Sequence, residues 1–385
     1  MSYVNLPVLS RGKINVSDKY LFPEEVFAAR VQKVRDLMKD KGLDGVLVYS
    51  DALSKCYTNY LANSYSPGLW GGSMLIIPRE GNIMNATSSG TREYEATRKR
   101  LPTFCDLMCC GMSMISSHHI VFDVLKFIDE QKYGTKWGGI NLNRMYKLGF
   151  DPIVEKYPDL LDLTDEFDVI KAIKDDGEMF AMSQASSISE KAVNEFLRIA
   201  DVDVVENVLS NEIERNCKEY GVSNISFLVS AGSEDVQLRQ PRPRKFEKGD
   251  IVTAVVNAQF LRYNGVYAAT RVIGGASAAQ EELFAAAKKM FKEQLDELNK
   301  TRKACIGQKD SFCDKSQISS YTIINGIGVD MVEAPDKDGA EIDLLPGMTV
   351  NINFYAEKKG VGGILIGQTF YVAETTLVKI NGQGA

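Results

Sequence analysis

Asn325-Gly326-Ile327-Gly328-Val329-Asp330-Met331-Val332-Glu333-Ala334-Pro335 is the stretch on which the reading of this chain turns. Two glycines flank one isoleucine and mark a tight turn. Two carboxylates, Asp330 and Glu333, and then Pro335 follow. The residue at the head of the run, Asn325, is an amide rather than an ionisable group.

Working outward, the flanks read as strands near residues 321–324, 348–354 and 364–373, with Leu345-Pro346-Gly347-Met348 as the turn between the first two. Upstream, Lys248-Gly249-Asp250-Ile251-Val252 opens a strand over 250–261, and Thr270-Arg271 follows. Further strands and helices are expected near 225–230, 176–199, 205–220 and 279–302. Long helices mixed with antiparallel strand pairs make this half α+β.

The first half alternates differently. Residues 23–41 carry Phe27, Val31, Val34, Leu37 and Met38 at helical spacing, with Pro23 at the start and Gly42 where a C-cap belongs. Strands are expected at 45–49, 57–60 and 73–77, and a second helix at 120–131. This is an α/β domain, expected to span 1–165, with the second domain at 166–385.

The 385 residues carry a net charge of −6 and 44% hydrophobic content, ordinary for a globular protein and unsuited to non-specific nucleic-acid binding. No apolar run approaches the ~20 residues needed to span a bilayer. Residues 1–19 show no signal-peptide core, so a cytoplasmic location is the expectation. The seven cysteines are irregularly spaced and are expected to be free thiols. Gly274-Gly275 and Gly360-Val361-Gly362-Gly363 lack the strand–loop–helix setting of a phosphate site. No Gly-x-Ser-x-Gly elbow is present, and the basic run from Arg239 to Lys245 reads as a solvated loop, or alternatively as a rim for an anionic substrate.

The Asn325–Pro335 run resembles the His-Gly-Ile-Gly-Leu-x-x-His-Glu-x-Pro signature of the aminopeptidase P, prolidase and creatinase superfamily, with Asn325 and Val332 in place of the histidines. The Gly-Asp and Pro-Gly-Met turns, Thr270-Arg271, and Ile170-Lys171-x-x-Lys174-x-x-x-Glu178 match it in the correct order. The resemblance implies a pita-bread second domain, and a homodimer in which a residue such as Tyr65 or Trp70 of one N-terminal domain borders the partner's cleft. Active members bind two metal ions through Asp, Asp, His, Glu and Glu. The matching positions here are Asn257, Ala268 or Ala269, Asn325, Asn353 and Gly367. A site without an anionic ligand does not offset the dehydration of a divalent ion, so no metal or other cofactor is expected. The superfamily's additional upstream histidine falls at Leu238, Arg239 or Gln240. The only histidines are His118 and His119, read as a pair at a helix start.

If the resemblance holds, Asn257, Asn325 and Asn353 converge on one cavity with Glu333, Tyr267, Arg271 and Arg239. Glu333, Tyr267 and Arg271 are then the expected acid/base and anchoring groups, and Asn257, Asn325, Asn353 and Arg239 the expected substrate-binding groups. The implied function is a metal-independent, creatinase-like hydrolase or lyase acting on a small polar metabolite, zwitterionic, amide or guanidino. The alternative is a non-catalytic pita-bread protein that binds a peptide, a protein or a small ligand. The three amides could equally pair with each other and with water in a relic cleft.

Overall fold

The computed structural model describes residues 22–51, 56–64, 72–87, 97–110, 118–232, 236–313 and 317–380. Contacts divide the chain between Ile170 and Lys171. The boundary expected at 165 falls inside a helix, α5 below.

In the first unit, α1 (Glu24–Lys41) starts after Pro23 and stops at Gly42, whose φ of 68° is left-handed and whose N–H closes onto Lys39. It buries Phe27, Val31, Val34 and Met38. There follow β1 (Gly45–Ser50), α2 (Cys56–Ala62), β2 (Ser73–Pro78), β3 (Ile83–Thr87), β4 (Cys105–Cys109), α3 (His118–Gln131), β5 (Trp137–Ile140), α4 (Lys147–Lys156), β6 (Leu161–Asp162) and α5 (Thr164–Ala172). The sheet order is β4-β3-β2-β1-β5-β6; β1 runs antiparallel to β2 and parallel to β5. The strand expected at 57–60 is instead the helix α2. Every residue of α2 is buried, so its aromatic-rich sequence carries no amphipathic period to separate helix from strand. Tyr65 and Trp70 lie outside the described residues.

The second unit begins with α6 (Asp176–Ile199), whose N-terminus is closed by a capping box between Asp175 and Glu178. Next come α7 (Glu206–Lys218), β7 (Val222–Gly232), β8 (Ile251–Phe260), β9 (Tyr263–Val272), α8 (Ala278–Thr301), β10 (Lys303–Cys305), β11 (Gly307–Cys313), β12 (Ile318–Gly326), β13 (Glu341–Asp343), β14 (Thr349–Lys358), β15 (Gly362–Val372) and β16 (Leu377–Lys379). One antiparallel sheet runs β11-β12-β14-β15-β9-β8-β7, with β16 added to β15. Both long helices lie on one face of it. Phe196 of α6 meets Phe227 at 5.0 Å between ring centroids, and Phe291 of α8 meets Phe354 at 5.8 Å.

The sheet is two half-sheets joined at a narrow seam. β15 and β9 pair at only two positions, Gly367 with Ala268 and Gln368 with Tyr267. Threonine side chains carry the joint past those positions. Thr270 Oγ1 accepts from Leu365 N–H and donates to Leu365 O, both at 3.0 Å. Thr369 Oγ1 accepts from Val266 N–H at 3.0 Å and donates to Val266 O at 3.1 Å. Each threonine stands two residues after its seam residue and reaches two residues before the other, a local two-fold relation. Replacing Thr369 by Val removes both bonds and strands a buried amide. Urea unfolding should show Thr369→Val destabilised by ~1–3 kcal/mol and Thr369→Ser much less. A Thr369→Val variant within ~0.5 kcal/mol of the parent would show that the hydroxyl does not join the halves.

Candidate functional site

Alternation along a strand sends neighbouring side chains to opposite faces. Gly265 faces the helices: a Cβ there would lie 2.2 Å from the Ser186 backbone nitrogen of α6. Tyr267, two residues on, points the same way, and its ring lies 4.8 Å from the Lys379 ammonium, itself paired with Glu190 of α6 at 2.6 Å. Burial, with Glu190 nearby, pushes the Tyr267 hydroxyl pKa up. Arg271 shares that face and donates to the Leu197 and Arg198 carbonyls, where a cation suits the C-terminal end of α6. Tyr267 and Arg271 are therefore not in the asparagine cluster. One residue of parity separates them from Ala268 and Thr270.

The face away from the helices carries two neighbouring rows. Across the seam, Val255, Ala268, Gly367, Asn353 and Ile323 follow in register. The next row holds Asn257, Val266, Thr369, Asn351 and Asn325. Asn257, Asn325 and Asn353 thus share a face, as expected, with Asn257 on the far side of the seam from the other two.

Two of the three are already engaged in bracing the loop after β12. Asn264 donates through Nδ2 to Gly328 O at 3.0 Å and Val329 O at 2.7 Å, so its Oδ1 is the acceptor for Asn257 Nδ2 at 3.0 Å. Asn325 Nδ2 donates to Gly326 O at 2.6 Å and Met331 O at 3.2 Å. Asn353 stands at the seam itself. A Cβ on residue 367 would fall 2.3 Å from Asn353 Oδ1 and 2.8 Å from Ala268 Cβ. That Oδ1 and Asn257 Oδ1 are buried without hydrogen-bond partners.

The five positions matched to metal ligands thus offer amides, a methyl group and a bare glycine. They do not fit a divalent ion, which takes anionic oxygens and imidazole there. Among the described residues, no three of His, Cys, Asp and Glu come together as a metal-holding group.

Glu333 is buried and faces lysines rather than the seam. Its carboxylate accepts from Lys171 Nζ at 2.6 Å through Oε2 and from Lys174 Nζ through Oε1, and all three side chains are under 4% exposed. Lys174 Nζ also donates to Lys171 O at 2.8 Å. Burial alone would raise the Glu333 pKa. The two ammonium groups outweigh it by charge and hydrogen bonding and hold it down at about 2. Such a carboxylate has no proton to give at neutral pH and is a weakened base, so the expected acid/base role does not fit its surroundings. The Gly-Ile-Gly frame serves this pairing. A Cβ on Gly328 would fall 1.9 Å from Glu333 Oε1, and one on Gly326 would fall 2.3 Å from Ala334 O.

Arg239 bridges in register to Val229 and donates to the Gln237 and Ala231 carbonyls, so its guanidinium braces its own loop. Sequence reasoning missed Lys171 and Lys174 as partners of Glu333, although both stood in the matched motif. Thr369 and Asn264 had no motif to mark them. For Thr369, the available signal was its place two residues after Gly367, mirroring Thr270 after Ala268.

Because the folded-state pKa of Glu333 lies below its ordinary value near 4.5, the ion triad stabilises the fold above that value and the contribution is lost as pH falls toward about 2. Urea midpoints should fall over this window in the parent. In Glu333→Gln, two buried ammonium groups lose their counter-charge, and a loss of ~3–5 kcal/mol at neutral pH is expected. A variant as stable as the parent, with the same acid profile, would contradict this assignment.

Comparison with known proteins bears on the family and the fold. The sequence model of metallopeptidase family M24 matches residues 181–374, just over half of the 385. An uncharacterized peptidase of Bacillus subtilis is 21% identical over 90% of this chain and 95% of its own length. One of Methanocaldococcus jannaschii is 25% identical over 57% of this chain and 66% of its own, just under two thirds. Among solved structures, the X-Pro aminopeptidase of Thermotoga maritima superposes with a TM-score of 0.74 at 16% identity, covering 91% of this chain and 97% of that one. The Xaa-Pro dipeptidase of Bacillus anthracis superposes with a TM-score of 0.70 at 18% identity, covering 93% and 98%. At these identities the structural likeness shows the pita-bread fold alone. The chain belongs to metallopeptidase family M24, as a divergent member in which none of the five metal-ligand positions keeps its ligand.

Proposed function

We propose that this chain is a metal-independent, non-hydrolytic member of its family, which binds a peptide-like ligand on the face where its relatives cleave one. The observation that carries this reading is the composition of the seam. Ala268, Gly367 and Asn353 supply no charge, and Glu333, the one carboxylate of the matched signature, is consumed by two lysines.

The enzyme reading needs a proton-transfer group on the seam face. Of its three candidates, Tyr267 and Arg271 face the helices and Glu333 is held ionised. Near the seam that face instead offers neutral polar and aromatic side chains, with the carboxylate of Glu357 farther along β14. Tyr321 and Tyr355 stack there at 4.4 Å between centroids, and burial raises the pKa of Tyr355, which keeps it neutral. At the end of the Gly-Ile-Gly loop, Met331 and Val332 stand 51% and 53% exposed. An exposed apolar pair beside hydrogen-bonding amides suits an uncharged stretch of peptide better than a small ion. Val332 occupies a histidine position of the matched signature, so an apolar contact has replaced a polar one there. No helix of the described residues is long and apolar enough to cross a membrane.

Purified protein should carry no stoichiometric transition metal by elemental analysis. It should leave Xaa-Pro dipeptides intact with Mn²⁺ or Co²⁺ added, yet bind proline-containing peptides by calorimetry, more weakly in a Met331→Asp variant. About two equivalents of bound metal together with dipeptide hydrolysis would overturn the proposal.

A further inference from the structure

The seam leaves a second space on its other side. Beyond the pairs Gly367–Ala268 and Gln368–Tyr267, β9 and β15 no longer pair by backbone, and on the Leu365 side the Thr270 hydroxyl bridges them. Small side chains, Ala268 and Ala269, line the gap. The result is a cavity of about 340 Å³ between the sheet and α8. Its apolar walls are Phe284 and Phe291 from α8 and Ile364 and Ile366 from β15. A second cavity, of about 520 Å³, continues from it past Arg271 and shares Thr270, Phe284 and Lys288 with it.

The polar groups are few and placed at the margins. Lys288 stands where the two cavities meet, and among the described residues its ammonium has no hydrogen bond or ion pair. The Gln368 side-chain amide lines the inner cavity and likewise has no partner among the described residues. At the other side of the inner cavity, Tyr267 is held by Lys379 and stays uncharged. No carboxylate lines the inner cavity; Glu281 lines the outer one, with Phe284 and Lys288.

An apolar slot with one unpaired cation at its mouth selects an amphipathic anion. Its tail gains by leaving water, and its head pairs with a lysine that has no competing carboxylate within the inner cavity. We infer that this helix-side cavity binds a medium-chain aliphatic carboxylate, with the chain between Phe284, Phe291, Ile364 and Ile366 and the carboxylate on Lys288. The volume suits a chain on the order of eight to ten carbons. The site is on the opposite face of the sheet from the asparagines and does not depend on what they bind. It does share its wall with the seam: Ala268 and Thr270 line the cavity and also hold the two half-sheets together.

Titration calorimetry of the full chain with sodium decanoate, kept below its micelle concentration, tests this directly. Saturable one-site binding is expected, roughly tenfold weaker in Lys288→Glu, and absent for decyltrimethylammonium, which has the same tail and the opposite charge. Ala269→Phe should fill the slot and abolish binding. Lys288 is exposed on α8, so the Lys288→Glu variant is informative even where Ala269→Phe fails to fold. No saturable heat with decanoate, equal binding of decyltrimethylammonium, or an affinity unchanged by Lys288→Glu would each overturn the inference.

Discussion

The second unit depends on a joint between two half-sheets that backbone pairing alone makes at only two positions. Strands that cross rather than align run out of register quickly, so the joint needs side-chain help. Thr270 and Thr369 give it, each satisfying an amide and a carbonyl of the opposite strand. Whatever stands at the joint is held closely from both sides. Asn353 Oδ1 and Ala268 Cβ crowd Gly367 so tightly that no side chain fits there without movement. A metal centre would sit at this joint in an active relative. Here the positions matched to its ligands bring amides, a methyl group and a glycine to the joint.

The loop after β12 is fastened by charge and by amides. Two lysines from the junction of α5 and α6 meet Glu333, and Asn257, Asn264 and Asn325 tie the backbone around Gly328 and Met331. An ion cluster of this kind is expensive to desolvate and more expensive to break. It explains why a motif survives after its histidines are gone. Gly326 and Gly328 are needed for close approach to Glu333 and Ala334, Arg271 serves the end of α6, and Asp250 closes its own turn by accepting from Glu247 N–H at 2.9 Å and pairing with Arg244 at 2.9 Å. Each matched element keeps a structural task that does not need a metal.

This also sets what the sequence could tell. The fold was legible because turn glycines, caps and matched motifs recur in order: α6 and the Gly42 stop of α1 stand where helical spacing and capping residues place them. The site was less so. Asn257, Asn325 and Asn353 do share a face, because strand alternation can be counted. Tyr267 and Arg271 do not share it, because strand parity sends them to the other side. The lysine partners of Glu333 are not legible in the sequence, because they lie about 160 residues away, a separation that no local pattern spans. The buried helix α2 is illegible for a related reason: burial on every side erases the period that separates helix from strand.

The proposal of metal independence rests on the amides, methyl group and glycine that stand at the seam positions matched to metal ligands. Crystals grown with millimolar Mn²⁺ and measured at a wavelength that gives manganese anomalous signal test it most directly. The account predicts no anomalous peak among Asn257, Asn325, Asn353 and Gly367, with Asn353 Oδ1 still against Gly367. A peak at that position, with the asparagine amides turned toward it, would contradict it.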